Sequence, residues 1–82
     1  MLVQVVFDKA ETAYEFYYEW TPCFINIRID NVYNIVNFEY ADKEAVNDIE
    51  NIVKKFCDHF GGNDNVVVTV KKNKKLVKKV IY

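Results

Sequence analysis

The sequence predicts a small α+β domain with a ferredoxin-like β-α-β-β-α-β-β order, in which a mainly antiparallel sheet carries two helices on one face. Three observations predict this fold class. Residues 23–29 alternate strictly between two sets of side chains and then meet Asp30-Asn31, as a strand entering a hairpin does. Residues 42–60 have the apolar periodicity of a long amphipathic helix. Residues 66–82 have the composition of a second hairpin.

The first two elements are a strand and a helix. Branched and aromatic residues over 2–7 predict the strand, and Asp8 followed by Glu11 is a capping box that predicts the start of the helix. An alternative remains open, because aromatic residues also alternate over 13–20. A strand there would leave one long helix on a larger antiparallel sheet. The apolar residues that recur at helical spacing before Thr21-Pro22 are Ala13, Phe16, Tyr17 and Trp20.

The next two strands form a hairpin with a two-residue loop at Asp30-Asn31 and a return strand over residues 32–40. This register puts Ile29 opposite Val32. The face that we expect to be buried holds Cys23, Ile25, Ile27, Ile29, Val36 and Phe38. The outward face holds Phe24, Asn26, Arg28, Tyr33, Ile35, Asn37 and Glu39.

The clearest element is the helix over residues 42–60, which begins at an N-capping aspartate and ends at Gly61-Gly62. A final hairpin turns at Asn73-Lys74 and pairs residues 66–72 with residues 76–82. Its last strand extends one edge of the sheet. The apolar stripe of the helix consists of Ala45, Val46, Ile49, Ile52, Val53, Phe56 and Phe60.

Charge is distributed unevenly along the sequence. Residues 1–64 contain all twelve acidic side chains and five basic ones, whereas residues 65–82 contain six lysines and no acid. In one interpretation the lysines protect an exposed sheet edge against aggregation, and in another they contact phosphate or an acidic protein. A third interpretation is head-to-tail association of identical copies. The six lysines are Lys71, Lys72, Lys74, Lys75, Lys78 and Lys79.

No motif in the sequence indicates an enzyme. There is no serine, and the two glycines are adjacent, so neither a nucleophile elbow nor a phosphate-binding loop is present. Cys57 and His59 point about 200° apart around a helix axis, so the two cannot share a metal ion. We therefore expect a non-enzymatic single domain over residues 1–82 without cofactor or metal. A cytoplasmic location with Cys23 and Cys57 reduced is expected, and a single disulfide between them is the alternative. No apolar run is long enough to span a membrane.

Candidate protein-binding residues come from the first helix and from the outward face of the first hairpin. Tyr14 and Tyr18 fall outside the buried stripe and beside a row of glutamates, and aromatic residues are enriched at the centres of interfaces. The complete candidate set is Glu11, Tyr14, Glu15, Tyr18, Glu19, Phe24, Tyr33 and Ile35.

The segment Tyr33-Asn-Ile-Val-Asn-Phe-Glu-Tyr-Ala-Asp-Lys-Glu-Ala-Val-Asn-Asp-Ile49 resembles the third strand and second helix of RNA-recognition motifs. Val36 and Phe38 match buried positions of that motif, and Tyr33 stands where a base-stacking aromatic would. Ile35 replaces the second aromatic residue, and the glycines of the motif are missing. The resemblance, over about a fifth of the chain, implies a sheet of similar fold.

These observations predict a small protein-binding module, of the inhibitor or adaptor type found in phages and mobile elements, that occludes its partner's surface. The alternative is weak binding of single-stranded nucleic acid, with bases on Phe24 and Tyr33. A homodimer through the open sheet face or a sheet edge is a third candidate, and no membrane contact is expected. The charged and aromatic residues assigned to nucleic-acid binding are Arg28, Tyr33, Lys71, Lys72, Lys74, Lys75, Lys78 and Lys79.

Overall fold

A computed structural model of the chain describes residues 1–30, 32–40, 45–60 and 66–81. It shows a small α+β fold with two helices and a five-stranded antiparallel sheet in the order β2-β3-β1-β4-β5. The elements are β1 (Leu2–Val6), α1 (Ala10–Trp20), β2 (Ile25–Asp30), β3 (Ile35–Glu39), α2 (Ala45–Phe60), β4 (Val67–Lys72) and β5 (Lys75–Ile81).

The central strand β1 divides its side chains between the two faces of the sheet. Val3 and Val5 are buried, because successive side chains of a strand point to opposite faces and these two point towards the helices. Their cross-strand neighbours on β3 and β4 are buried on the same face. These neighbours are Val36, Phe38, Val68 and Val70.

Both helices cover this one face. The ring of Phe16 in α1 lies 5.2 Å from that of Phe56 in α2 and 6.2 Å from that of Phe38 in β3. A single side chain therefore contacts both the other helix and the sheet. Ile49 and Val53 complete the buried stripe of α2 among its described side chains. Burial of each such side chain contributes about 1.5–3 kcal/mol to folding.

The helix expected after the first strand is confirmed, and the alternative strand over residues 13–20 is wrong. Its start differs from the prediction. The N-cap is Lys9, which makes no side-chain capping bond, and Ala13 donates the first helical hydrogen bond to the Lys9 carbonyl at 3.2 Å. Asp8 instead belongs to the preceding bend, where its carbonyl accepts a 3.5 Å hydrogen bond from Asn34 Nδ2.

The predicted loop between β2 and β3 is wrong. Asp30 pairs with Ile35 and Ile29 with Val36, so the loop spans residues 31–34 and the return strand begins three residues later than expected. Asp30 Oδ1 accepts hydrogen bonds from the backbone of Val32 at 3.0 Å and of Tyr33 at 3.4 Å. Asn34 closes the loop with φ +57°. A side-chain-capped turn of this kind competes with a two-residue hairpin loop.

An extra residue in β2 reverses the faces predicted for its first half. Ile25 pairs with Glu39 and Arg28 with Asn37, so three steps along β2 match two along β3. Asn26 has φ +51°, and its Nδ2 donates a hydrogen bond to the Glu39 carboxylate. Because of this bulge, Ile25 points away from the helices. Three predictions are therefore wrong: Cys23 and Ile25 are exposed, whereas Phe24 is buried.

The second hairpin turns at Asn73-Lys74, as predicted, and both residues have positive φ. Positive φ at both central positions is the geometry of a two-residue hairpin turn. Strand β5 lies at the edge of the sheet, next to β4. The predicted capping residue Asp42 and the predicted stop at Gly61-Gly62 lie outside the described residues.

Candidate binding surfaces

The sheet face opposite the helices is a candidate binding surface, which we call the open face. The register places its residues in three rows across the five strands. The first row runs Ile25, Glu39, Leu2, Lys71 and Leu76, in strand order. Its three aliphatic side chains are exposed by 55–58%. Glu39 and Lys71 separate them, so this row alternates aliphatic and charged side chains.

The other two rows of the open face differ in polarity. The middle row runs Arg28, Asn37, Gln4, Thr69 and Lys79. The third row begins at Asp30 and continues with Ile35, Val6 and Val67, which are half-buried by their neighbours in the sheet. A depression of about 240 Å³ lies between the first two rows. The open face therefore has a polar middle row between two rows that contain both aliphatic and charged side chains.

The outer side of α1 brings five predicted residues together, and we call it the helix surface. Tyr14 and Tyr18 stack at 6.1 Å with their rings 19° apart, because residues four apart on a helix lie one above the other. Tyr18 is 67% exposed. Three exposed carboxylates form the neighbouring stripe. The helix surface consists of Glu11, Tyr14, Glu15, Tyr18 and Glu19.

The other three predicted protein-binding residues do not join the helix surface. Phe24 is in the core, where its ring stacks on that of Phe38 at 4.1 Å, so it cannot contact a partner. Tyr33 is exposed at the loop between β2 and β3, and Ile35 lies in the third row of the open face. The predicted set is therefore divided among the helix surface, the core, a loop and the open face.

The residues predicted to bind nucleic acid are also divided. Arg28, Lys71 and Lys79 lie on the open face, and Tyr33 lies beyond its end. The burial of Phe24 removes one predicted base-stacking ring, and the open face carries no aromatic side chain among the described residues. Lys72, Lys74 and Lys75 are exposed at the tip of the second hairpin, whereas the side chain of Lys78 lies outside the described part.

A groove between α1 and α2 was not predicted from the sequence. It has a volume of about 330 Å³ and is lined by Glu19, Trp20, Ile52, Lys55, Phe56 and His59. The indole Nε1 of Trp20 is buried and has no hydrogen-bond partner within the described residues. The one indication in the sequence was Trp20, which ends the run of aromatic residues over 13–20 that fits both a helix and a strand.

The two thiols differ in their surroundings. Cys23 is exposed, whereas Cys57 is half-buried against the core on α2. Burial raises the pKa of the Cys57 thiol above its ordinary value, and the negative charge of Asp58 raises this pKa further. A raised pKa keeps the thiol protonated and unreactive at neutral pH. No group of three metal-ligating side chains occurs among the described residues.

Comparison with protein-family models, with curated proteins and with solved structures finds no match to this chain. Neither described helix is long and apolar enough to cross a membrane.

Proposed function

We propose that this protein is a non-enzymatic protein-binding module that uses the helix surface to cover a basic patch on its partner. This is the mode of action of small inhibitors and adaptors such as those of phages and mobile elements. One observation carries the proposal: a stacked tyrosine pair, with Tyr18 67% exposed, lies beside three exposed carboxylates on a single helix.

The chemistry of this surface favours a cationic protein partner. Tyrosine offers a large contact area at a low cost in side-chain entropy, and it is enriched where interfaces contribute most to affinity. The carboxylates of Glu11, Glu15 and Glu19 would attract lysine and arginine and speed the encounter. Like charges four residues apart cost the isolated helix a few tenths of a kcal/mol per pair. A basic partner would relieve that repulsion.

The helix surface is supported by a rigid base, which helps binding. Thr12, Ala13 and Phe16 on the inner side of α1 are buried at 7% exposure or less. Phe16 is surrounded by the rings of Phe7, Phe24 and Phe56. A contact surface that is already ordered loses less conformational entropy when it binds.

A random peptide library tests the proposal without knowledge of the partner. The immobilised protein should enrich peptides that combine lysine or arginine with aromatic or aliphatic residues. Tyr18→Ala should weaken the binding of these peptides by about tenfold or more, as expected for a tyrosine at the centre of a contact. Tyr33→Ala is a matched control, since both tyrosines are 67% exposed. Enriched peptides that bind the Tyr18→Ala protein as tightly as the original would contradict the proposal.

A second candidate function is weak binding of single-stranded nucleic acid. It is favoured by the exposed lysines of the second hairpin and by Arg28, Lys71 and Lys79 on one face. Labelled oligonucleotides should then bind at low salt and be released steeply as salt rises. Absence of binding at low salt would eliminate this function.

We also propose that the fold is ferredoxin-like with one added strand. The order of elements and the antiparallel sheet order β2-β3-β1-β4 support this assignment, with β5 appended beside β4.

A further inference from the structure

The open face has a pattern that matches itself under a two-fold rotation. Strand β1 is the middle of the five strands, with β3 and β2 on one side and β4 and β5 on the other. If two open faces meet and the two-fold axis runs along β1, β3 of one copy lies over β4 of the second. Isologous contacts of this kind are the commonest in symmetric oligomers.

On the three central strands, the side chains that this axis brings together are complementary in charge and polarity. In the first row, Glu39 meets Lys71 of the second copy, and Ile25 meets Leu76 of the second copy. Leu2 meets its own symmetry mate. In the middle row, Asn37 meets Thr69 of the second copy, so amide faces hydroxyl.

The third row adds apolar contacts to the same arrangement. Ile35 meets Val67 of the second copy, and Val6 meets its own symmetry mate. The alternative two-fold axis, perpendicular to β1 in the plane of the contact, would place the first row over the third. Lys71 would then lie over Val67 and Glu39 over Ile35, which would bury charges against aliphatic groups. The axis along β1 leaves one charge opposite an aliphatic residue, since Asp30 takes the register position opposite Ile81, but this pair lies at the outer edge of the face. The charge pattern therefore favours the axis along β1.

We infer that the open face binds the open face of a second copy of this chain, in a parallel two-fold dimer with Glu39 opposite Lys71. Five strands about 4.8 Å apart and five residues of about 3.4 Å each give a face of about 24 Å by 17 Å. That is about 400 Å² per copy and about 800 Å² in total, which is below the area of stable complexes, so we expect a weak dimer that forms only at high protein concentration. The depression of about 240 Å³ on this face leaves room for side chains of the second copy.

One pair of side chains in this arrangement is repulsive, and a substitution that removes the repulsion should strengthen the dimer. Arg28 on the edge strand β2 meets Lys79 of the second copy on β5. Both side chains are exposed at the outer columns of the face, where they retain contact with water. Replacement of Lys79 by glutamate should therefore strengthen the dimer, whereas most substitutions in an interface weaken it.

The dimer adds a consequence to the proposed function without resting on it. The helix surface is on the opposite side of the sheet, so both copies would present it outwards at the same time. A dimer with two outward helix surfaces would bind a repetitive or dimeric basic partner with increased avidity.

The test is a charge swap followed by sedimentation velocity over a range of concentrations. The unchanged protein should form a dimer and nothing larger. Glu39→Lys and Lys71→Glu should each lower the affinity of the dimer by about tenfold or more, because the two-fold symmetry makes each repulsive contact occur twice. The double variant with both substitutions should recover most of the affinity, and Lys79→Glu should dimerise more tightly than the original. Circular dichroism would confirm that each variant is folded.

Three results would overturn the inference. The first is a protein that stays monomeric at every concentration up to that of an NMR sample. The second is a double variant that dimerises no better than either single variant. The third is growth beyond a dimer that Glu15→Lys abolishes, which would indicate head-to-tail contacts between the helix surface and the lysine hairpin. None of these results depends on whether peptides bind the helix surface, so the two proposals fail separately.

Discussion

The two faces of the sheet share the same five strands but have different physical roles. On the covered face, Val3 and Val5 and their neighbours on β3 and β4 are apolar, and none is more than 2% exposed. One residue away on β1, Gln4 faces Asn37 and Thr69. The backbone hydrogen bonds are common to both faces. The difference indicates that folding stability depends mainly on the covered face, whereas the open face has side chains that remain accessible to solvent.

The largest effect should come from making the covered face polar. Val5→Asn places an amide between Val36 and Val68, at a position with no exposure, and removes apolar contacts. We expect the free energy of unfolding to fall by about 3–4 kcal/mol. Urea denaturation would measure the loss. Gln4→Val on the next residue is the control and should change stability by less than about 0.5 kcal/mol. Equal losses at both positions would contradict the difference between the faces.

A slightly smaller effect is expected at Phe24, which the sequence placed on the open face. Its ring stacks against Phe38 at 4.1 Å and against Trp20 at 5.2 Å. Phe24→Ala should lower the free energy of unfolding by about 3 kcal/mol because it leaves a cavity in the core. Tyr33→Ala removes an exposed ring and should cost less than about 0.5 kcal/mol. A Phe24→Ala protein as stable as the Tyr33→Ala protein would show that Phe24 is on the surface.

Sequence periodicity predicted the elements whose pattern of apolar and polar side chains is regular. It gave a wrong result where one extra residue interrupts that pattern. The buried residues of α2, the strand β1 and the turn at Asn73-Lys74 follow from patterns over many residues or from strong turn chemistry. The first hairpin was misplaced because Asp30 caps a longer loop, and the bulge at Asn26 reversed the face of Phe24. A single inserted residue reverses which side chains of the adjoining part of the strand face the core, and the alternation in the sequence alone does not reveal the insertion.

The same distinction applies to the candidate surfaces. The helix surface could be predicted, since Tyr14, Tyr18 and the glutamates depend only on helical spacing. The pairing of Glu39 with Leu2 and Lys71 in one row could not, because it depends on the register of three strands that are distant in sequence. The groove beside Trp20 also depends on how two helices pack against each other. Local spacing is visible in a sequence, whereas long-range register is not.

The two cysteines provide a smaller and pH-dependent contrast between exposed and covered positions. A disulfide reagent at neutral pH should modify Cys23 first and Cys57 about tenfold more slowly, because the thiol of Cys57 is half-buried and has a raised pKa. The rate for Cys57 should keep rising as the pH passes the ordinary thiol pKa, because the pKa of this thiol is raised. Mass spectrometry of digests would assign each site. Equal rates at neutral pH would contradict the burial of Cys57.

The raised pKa of Cys57 also makes the folding stability depend on pH. The folded state holds the proton more tightly than the unfolded state, so this contribution is fully present below the ordinary thiol pKa. It is lost as pH rises from that value through the raised pKa of the folded protein. Cys57→Ser should flatten this part of the pH profile of stability.

The smallest effect is expected at the edge of the sheet, in the turn at Asn73-Lys74. Lys74 has φ +65°, which a residue with a side chain adopts only at a cost, and glycine adopts freely. Lys74→Gly should raise the free energy of unfolding by about 0.5 kcal/mol, net of the added freedom of the unfolded chain. Lys75→Gly, in extended β5, should lower it by about 0.5–1 kcal/mol. Because both substitutions remove one lysine from the hairpin tip, opposite signs would isolate the backbone effect from charge. Equal signs would indicate that charge at this edge, rather than turn geometry, controls its stability.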